Sequence, residues 1–175
     1  MNVSNGERVL DVGCGTGRAL VQLAASTPEG WTDGLDATPA MVVRARARLA
    51  SLPHDRFRIR RGRAQNLPYP DDAFDAVFSS YVVDVLPRPA TTTALSEMRR
   101  VVRPEGRLVL VVLIPPVRLS GRLWSLLARW APLLLGGGRP IRPRPLLRQA
   151  GFSIEKTDAR TQMGLRSGIL QASPR

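Results

Sequence analysis

The chain has 175 residues, 43% of them hydrophobic, and a formal net charge of +12. That is the size of one domain with a core of its own; the single cysteine, Cys14, excludes an internal disulfide, and the single histidine, His54, leaves no credible protein metal site. No run of 18 or more apolar residues is present, so no membrane span is expected, and the polar N-terminus leads into a strand almost at once, without a secretory signal.

Val9 to Val12 reads as a short buried strand. Gly13-Cys14-Gly15-Thr16-Gly17 follows as a tight turn, with a helix from about Arg18. Alternate glycines allow positive φ and close approach of backbone to a ligand. A dinucleotide-binding G-x-G-x-x-G turn would need glycine where Arg18 stands, so the spacing is wrong for NAD. Trp31 to Asp36 reads as a second strand that ends in an acid. Asp36 lies roughly 20 residues beyond the glycines, the spacing at which a carboxylate accepts from ribose hydroxyls in βαβ units. It also fits a helix start, with Thr38 as cap and Pro39 early in the helix. The third strand is the alternating stretch Arg56 to Arg63, with Phe57 and Ile59 on one face. Leu108 to Ile114 is an unbroken apolar run, as expected of a central parallel strand covered on both faces. Two strand-like pieces near 153–157 and 168–172 fit an antiparallel edge hairpin.

Three blocks carry a resemblance. Asp11-Val12-Gly13-Cys14-Gly15-Thr16-Gly17 resembles the first motif of class I S-adenosylmethionine (SAM) methyltransferases. Gly62 to Ser80, with Leu67-Pro68-Tyr69-Pro70-Asp71-Asp72 feeding a fourth strand at Ala76 to Ser79, resembles the UbiE-like branch of ubiquinone and menaquinone biosynthesis. Leu95 to Arg107 resembles that branch's helix and turn, with Glu105 in place of a glycine, and Leu146 to Phe152 its last helix and A-G-F turn. The resemblance implies a Rossmann-like α/β fold: a seven-stranded, mostly parallel sheet with helices on both faces and an antiparallel C-terminal hairpin. It implies SAM as cofactor. Asp11 then reaches the ammonium of the bound amino acid, Gly13, Cys14, Gly15 and Gly17 form its cradle, and Asp36 takes the ribose. Ala37 and Met41 are placed against adenine, although a methionine at that spacing is equally a core residue. Arg63, Ala64 and Gln65 belong to the same subsite. Arg63 stands where the family usually has an acid for the adenine amine; a guanidinium offers no acceptor and would stack on the ring instead. Ser79, Ser80 and Tyr81 fall at a strand end beside the reacting methyl, and Tyr81 and Asp84 are the candidate bases. Alignment and desolvation suffice for an activated methyl donor, so no catalytic triad is expected.

The expected architecture is one domain over 1–175, with 115–145 as a substrate-side insertion or lid. Arg118, Arg122 and Arg129 recur at helical spacing opposite Leu119, Leu123, Leu126, Leu127 and Trp130, with Trp124 at the border. Trp124 and Trp130 are therefore substrate-side candidates, in a helix that covers the sheet, lines an apolar pocket or lies on a bilayer. All but Lys156 of the 26 basic residues are arginine, a field that attracts anions. The implied acceptor is small or lipophilic, quinol-like or lipid-like. The chain is placed in the cytoplasm, with peripheral attachment to an anionic membrane as an alternative. A non-catalytic SAM-binding domain and an RNA-directed methyltransferase are the competing readings; without an N-P-P-Y-type signature or a catalytic cysteine, nucleic acid is disfavoured. Only Met1 to Arg8 precede the first strand, where the family carries helices that close the site, so another chain, an open site or a truncated form of reduced activity is expected.

Overall fold

The computed structural model describes residues 3–50, 52, 56–114, 141–162 and 165–175. In chain order the elements are β1 (Arg8–Val12), α1 (Arg18–Ser26), β2 (Trp31–Asp36), α2 (Pro39–Leu49), β3 (Phe57–Arg61), β4 (Phe74–Ser80), α3 (Arg88–Val101), β5 (Val102–Leu113), α4 (Pro143–Gln149), β6 (Phe152–Gln162) and β7 (Leu165–Pro174). The seven strands form one sheet in the order β3-β2-β1-β4-β5-β7-β6. The first five are parallel, and β7 runs antiparallel to both β5 and β6.

This is the expected seven-stranded, Rossmann-like class I architecture. Its strands obey the burial their sequences imply. β1 pairs on both sides and buries Val9, Leu10 and Val12 completely. One face of the sheet packs Leu10, Val12, Val77, Leu108 and Leu110 against Leu95 and Met98 of α3 and Leu147 of α4. On the other, Leu20 of α1 and Val42, Ala45 and Leu49 of α2 enclose Ile59, while Leu23 of α1 covers Val9 and Ala76. Each fully buried leucine or valine contributes about 1.5–3 kcal/mol relative to exposure.

The chain travels outward from β1 through β2 to β3, then returns to place β4 on the opposite side of β1. Strand order therefore reverses between β1 and β4, and a crevice opens outside their carboxyl ends.

Several boundaries differ from the sequence reading. β4 spans Phe74–Ser80 rather than 76–79. The expected turn at 103–106 is an excursion inside β5: Phe74 pairs with Val102 and Ala76 already with Arg107. Gly106 permits it, because a Cβ there would lie 2.8 Å from the Asp75 carbonyl oxygen. Arg103 holds the excursion by its ion pair with Asp75. The C-terminal hairpin is twice the expected length, because β6 and β7 stay paired to Gln162 and Leu165. Thr38 occupies the N-cap of α2 without a side-chain cap bond; the Asp36 carboxylate accepts from the Thr38 amide instead, at 2.8 Å. The expected insertion 115–145 overlaps α4, which begins at Pro143. Its 115–140 part, with the arginine and leucine faces, lies outside the described residues, as does His54. Among the described residues no helix is long and apolar enough to cross a membrane.

Candidate functional site

The site grows out of the turn after β1. Gly13, Gly15 and Gly17 all have positive φ, at 76°, 53° and 79°. At Gly13 the requirement is also steric: a Cβ would meet Val82 Cγ2 at 2.1 Å. The amides of Gly13 and Cys14 both donate to the Leu35 carbonyl, at 2.7 and 3.1 Å, which docks the turn on the end of β2. Asp36 completes the arrangement. One carboxylate oxygen accepts from the Gly15 amide at 2.9 Å and the other from Thr38.

A cavity of about 510 Å³ opens at this crevice. Gly13, Asp36, Ala37, Arg63, Ala64, Gln65, Ser80 and Tyr81 line it, together with Leu35, Val82, Val85 and Leu86. Eight of the expected site residues thus come together from the ends of β1, β2, β3 and β4. Asp11 lies on β1 and is not among the lining residues. It is 1% exposed and its Oδ2 has no hydrogen-bond partner. Burial, with the nearby Asp36 charge, pushes its carboxyl up to about 7. A buried acceptor without a donor is costly.

The remaining expected residues fall elsewhere. Cys14 and Gly17 are buried and Gly15 is half-buried, and none of the three lines the cavity. Burial and the Asp11 and Asp36 charges push the Cys14 thiol up to about 12, so it is inert packing rather than a nucleophile. Met41 is half-buried on α2, away from the cavity lining. Ser79 is fully buried and donates to the Val12 carbonyl at 3.1 Å, which fastens β4 to β1 instead of facing a ligand. Arg63, one of the eight that line the cavity, is exposed. Trp124 and Trp130 lie outside the described residues.

The two candidate bases separate. Tyr81 faces the first cavity with φ 59°, an uncommon conformation for an aromatic residue, and its hydroxyl lies 2.7 Å from Ser167 Oγ. Asp84 faces a second cavity of about 420 Å³, which shares Leu86 with the first. Asp84 is 1% exposed. Its Oδ2 accepts from the Leu113 amide at 2.9 Å, whereas Oδ1 has no partner. Burial pushes this carboxyl, too, up to about 7 against the pull of the Leu113 amide.

One part of the machinery was not foreseen from sequence. The wall formed by 62–65 continues into a loop that Arg100 and Glu97 of α3 clamp. Arg100 donates to the carbonyls of Leu67 and Tyr69 at 3.0 and 2.8 Å and pairs with Glu97 at 2.8 Å; Glu97 also accepts from the Leu67 amide. An i,i+3 Glu-Arg pair on a helix ordinarily signals a solvated face, so the sequence held no sign of this role.

Comparison with known proteins bears on the family and the fold. Residues 9–106 match the family described as methyltransferase domain. A demethylmenaquinone methyltransferase of Symbiobacterium thermophilum is 37% identical over 107 residues, covering 59% of this chain and 41% of that protein. A ubiquinone/menaquinone biosynthesis C-methyltransferase of Geobacter sulfurreducens is 36% identical over 126 residues, covering 70% of this chain and 48% of that protein. The chain thus spans less than half the length of either relative. The crystal structure of a SAM-dependent methyltransferase from Methanosarcina mazei superposes with a TM-score of 0.82 at 17% identity, over 99% of this chain and 94% of the other.

Proposed function

The chain belongs to the methyltransferase-domain family, and from that premise we propose that it transfers a methyl group from SAM to a small or lipophilic acceptor of quinol type. The observation that carries this reading is the buried Asp11 Oδ2, unpartnered just before a glycine turn at the sheet's switch point. That is the place and charge for the ammonium of an amino-acid ligand. Asp36 at the end of β2 would receive the ribose hydroxyls: the amides of Gly15 and Thr38 hold its two oxygens, and each oxygen keeps a further lone pair. Ala37, Ala64 and Gln65 would flank the base, with the Arg63 guanidinium stacked on it.

When bound, SAM supplies a sulfonium methyl already activated for displacement. The protein's part is to orient and to exclude water. Ser80 and Tyr81 line the cavity where β4 ends, and Val82, Val85 and Leu86 give it an apolar wall. The relatives named for demethylmenaquinone and ubiquinone/menaquinone support a quinol-type acceptor. The test is titration with S-adenosylhomocysteine followed by turnover on reduced quinones. Binding with turnover is the expected result. Absence of binding overturns the reading, and binding without turnover on any acceptor leaves a non-catalytic SAM-binding domain.

A further inference from the structure

The second cavity contains more polar chemistry than packing requires. It lies between the loop after β4, the start of α3 and the start of α4, with Val83, Asp84, Leu86, Arg88, Thr91, Ile141, Arg142, Pro145 and Leu146 around it. Most of these side chains are apolar, and the one hydroxyl proton of Thr91 is taken up within the fold, where the backbone carbonyls of Val83, Leu86 and Pro87 lie 3.2 to 3.4 Å away as alternative acceptors. Three groups are left for a ligand. Asp84 Oδ1 is buried without a donor. Arg88 and Arg142 form no ion pair among the described residues, and the sequence from 115 to 140 contains no Asp or Glu.

Arg88 is also misplaced for stability. It is the first residue of the 14-residue α3, whose first turn has no acid. The helix dipole favours an anion at that end and disfavours a cation. Arg88 and Arg142 are both exposed and line the same cavity, and two guanidiniums at one cavity suit an ionised acid.

We propose that this second cavity binds the methyl acceptor and selects one that carries both an ionised acid and a hydroxyl on an apolar body, the acid held by Arg88 and Arg142 and the hydroxyl donating to Asp84 Oδ1. The inference rests on the methyltransferase reading and narrows its acceptor. Leu86 walls both cavities, so an acceptor seated here abuts the cofactor cavity. The apolar body fits against Val83, Ile141, Pro145 and Leu146.

The probes are 6-hydroxy-2-naphthoate, 2-naphthoate, 2-naphthol and 2-naphthyl phosphate, titrated into the full chain saturated with S-adenosylhomocysteine. Binding is expected to be tightest for 6-hydroxy-2-naphthoate. The paired change Arg88→Ala/Arg142→Ala should weaken both naphthoates at least tenfold and leave 2-naphthol unchanged. Asp84→Asn keeps an oxygen for the Leu113 amide. It should weaken 6-hydroxy-2-naphthoate several-fold and leave 2-naphthoate unchanged. Tighter binding of 2-naphthyl phosphate than of 2-naphthoate would identify the acid as a phosphate rather than a carboxylate. S-adenosylhomocysteine affinity, read on every variant, confirms folding, since neither arginine nor Asp84 lines the first cavity. Equal naphthoate affinity in the wild type and the arginine variant, with S-adenosylhomocysteine still bound, overturns the inference alone. Failure of S-adenosylhomocysteine to bind the wild type overturns the methyltransferase reading instead.

Discussion

Asp36 is committed twice within the fold before any ligand arrives, since its two oxygens tie the glycine turn to the start of α2. Asp36→Ala should therefore cost a charge-assisted bond and loosen the turn, about 1.5–3 kcal/mol of binding, or roughly ten- to a hundredfold in S-adenosylhomocysteine affinity by calorimetry. Asp11 behaves differently because it is buried and raised to about 7. A cationic group binds its ionised form, so binding near pH 5 must first expel a proton. Affinity for S-adenosylhomocysteine should rise between pH 5 and 7 by up to about tenfold per unit and then level off. Asp11→Asn should flatten that profile; a wild-type affinity independent of pH would remove Asp11 from the site. The same shifts bear on stability. Asp11 and Asp84 have an ordinary value of 3.8 when unfolded and about 7 when folded. Between these values the folded chain holds protons that the unfolded chain has released. Their contribution is thus fully present below about pH 4 and is lost as pH rises to about 7. Arg63 tests the adenine subsite: Arg63→Ala should weaken binding and Arg63→Asp should match or exceed the wild type, while indifference to both would leave Arg63 facing solvent.

At the scale of elements, the cavity depends on how α3 holds a loop that is not itself helical. Arg100 and Glu97 satisfy the backbone of Leu67 and Tyr69, and without them the 62–72 stretch keeps its end bonds from the Gly62 amide to the Asp36 carbonyl and the Asp72 amide to the Arg100 carbonyl but loses the clamp on its middle. The exposed Asp71 end of the network contributes little. Arg100→Ala should destabilise by about 1–3 kcal/mol, which for a chain of this size lowers the thermal midpoint by roughly 2–10 °C. S-adenosylhomocysteine binding should weaken as well, because Ala64 and Gln65 share that loop. An Arg100→Ala protein of unchanged melting temperature would show that the loop stands without the clamp. The arginine-rich β3 strand is likewise more occupied than an edge of solvated charge. Arg58 pairs with the buried Asp33 at 3.1 Å and stacks over Trp31, and Arg60 lies over Tyr69. A buried carboxylate in the sheet thus neutralises part of a cluster that reads, in sequence, as free for an anionic partner.

For the whole molecule, ligand binding and folding are linked because the crevice exists only when β1, β2 and β4 are assembled. S-adenosylhomocysteine at about 100 times its dissociation constant should stabilise the chain by about 2.7 kcal/mol, visible as a higher melting temperature. The net charge of +12 acts at the same scale. Co-sedimentation with anionic vesicles should occur at low salt and fade as the screening length falls to about 8–10 Å near physiological ionic strength. Indifference to vesicles at low salt would remove the membrane alternative.

The succession of strands along the chain, the glycine turn and the acid Asp36 at the end of β2 were legible because each rests on a local constraint: an apolar run, a required positive φ, an acid at a strand end. The mostly parallel sheet was implied by the family resemblance, whereas the reversal of strand order at β1 and β4 is set by the tertiary pairing. What the sequence could not decide depends on groups distant along the chain. Ser79 and Tyr81 are two residues apart, a spacing that would put both on one face of a strand, yet β4 ends at Ser80 and Tyr81 turns away with φ 59°, so Ser79 bonds to Val12 in the core while Tyr81 lies at the cavity. Asp84 and Tyr81, three residues apart, face different cavities because Asp84 is drawn to the Leu113 amide on β5. That Arg88 and Arg142 line one cavity, and that Arg100 clamps Leu67, follows only from α3 packing beside α4 and over that loop. Local sequence carries backbone preference and hydrophobic period; convergence of charge across the sheet is a property of the packed fold alone.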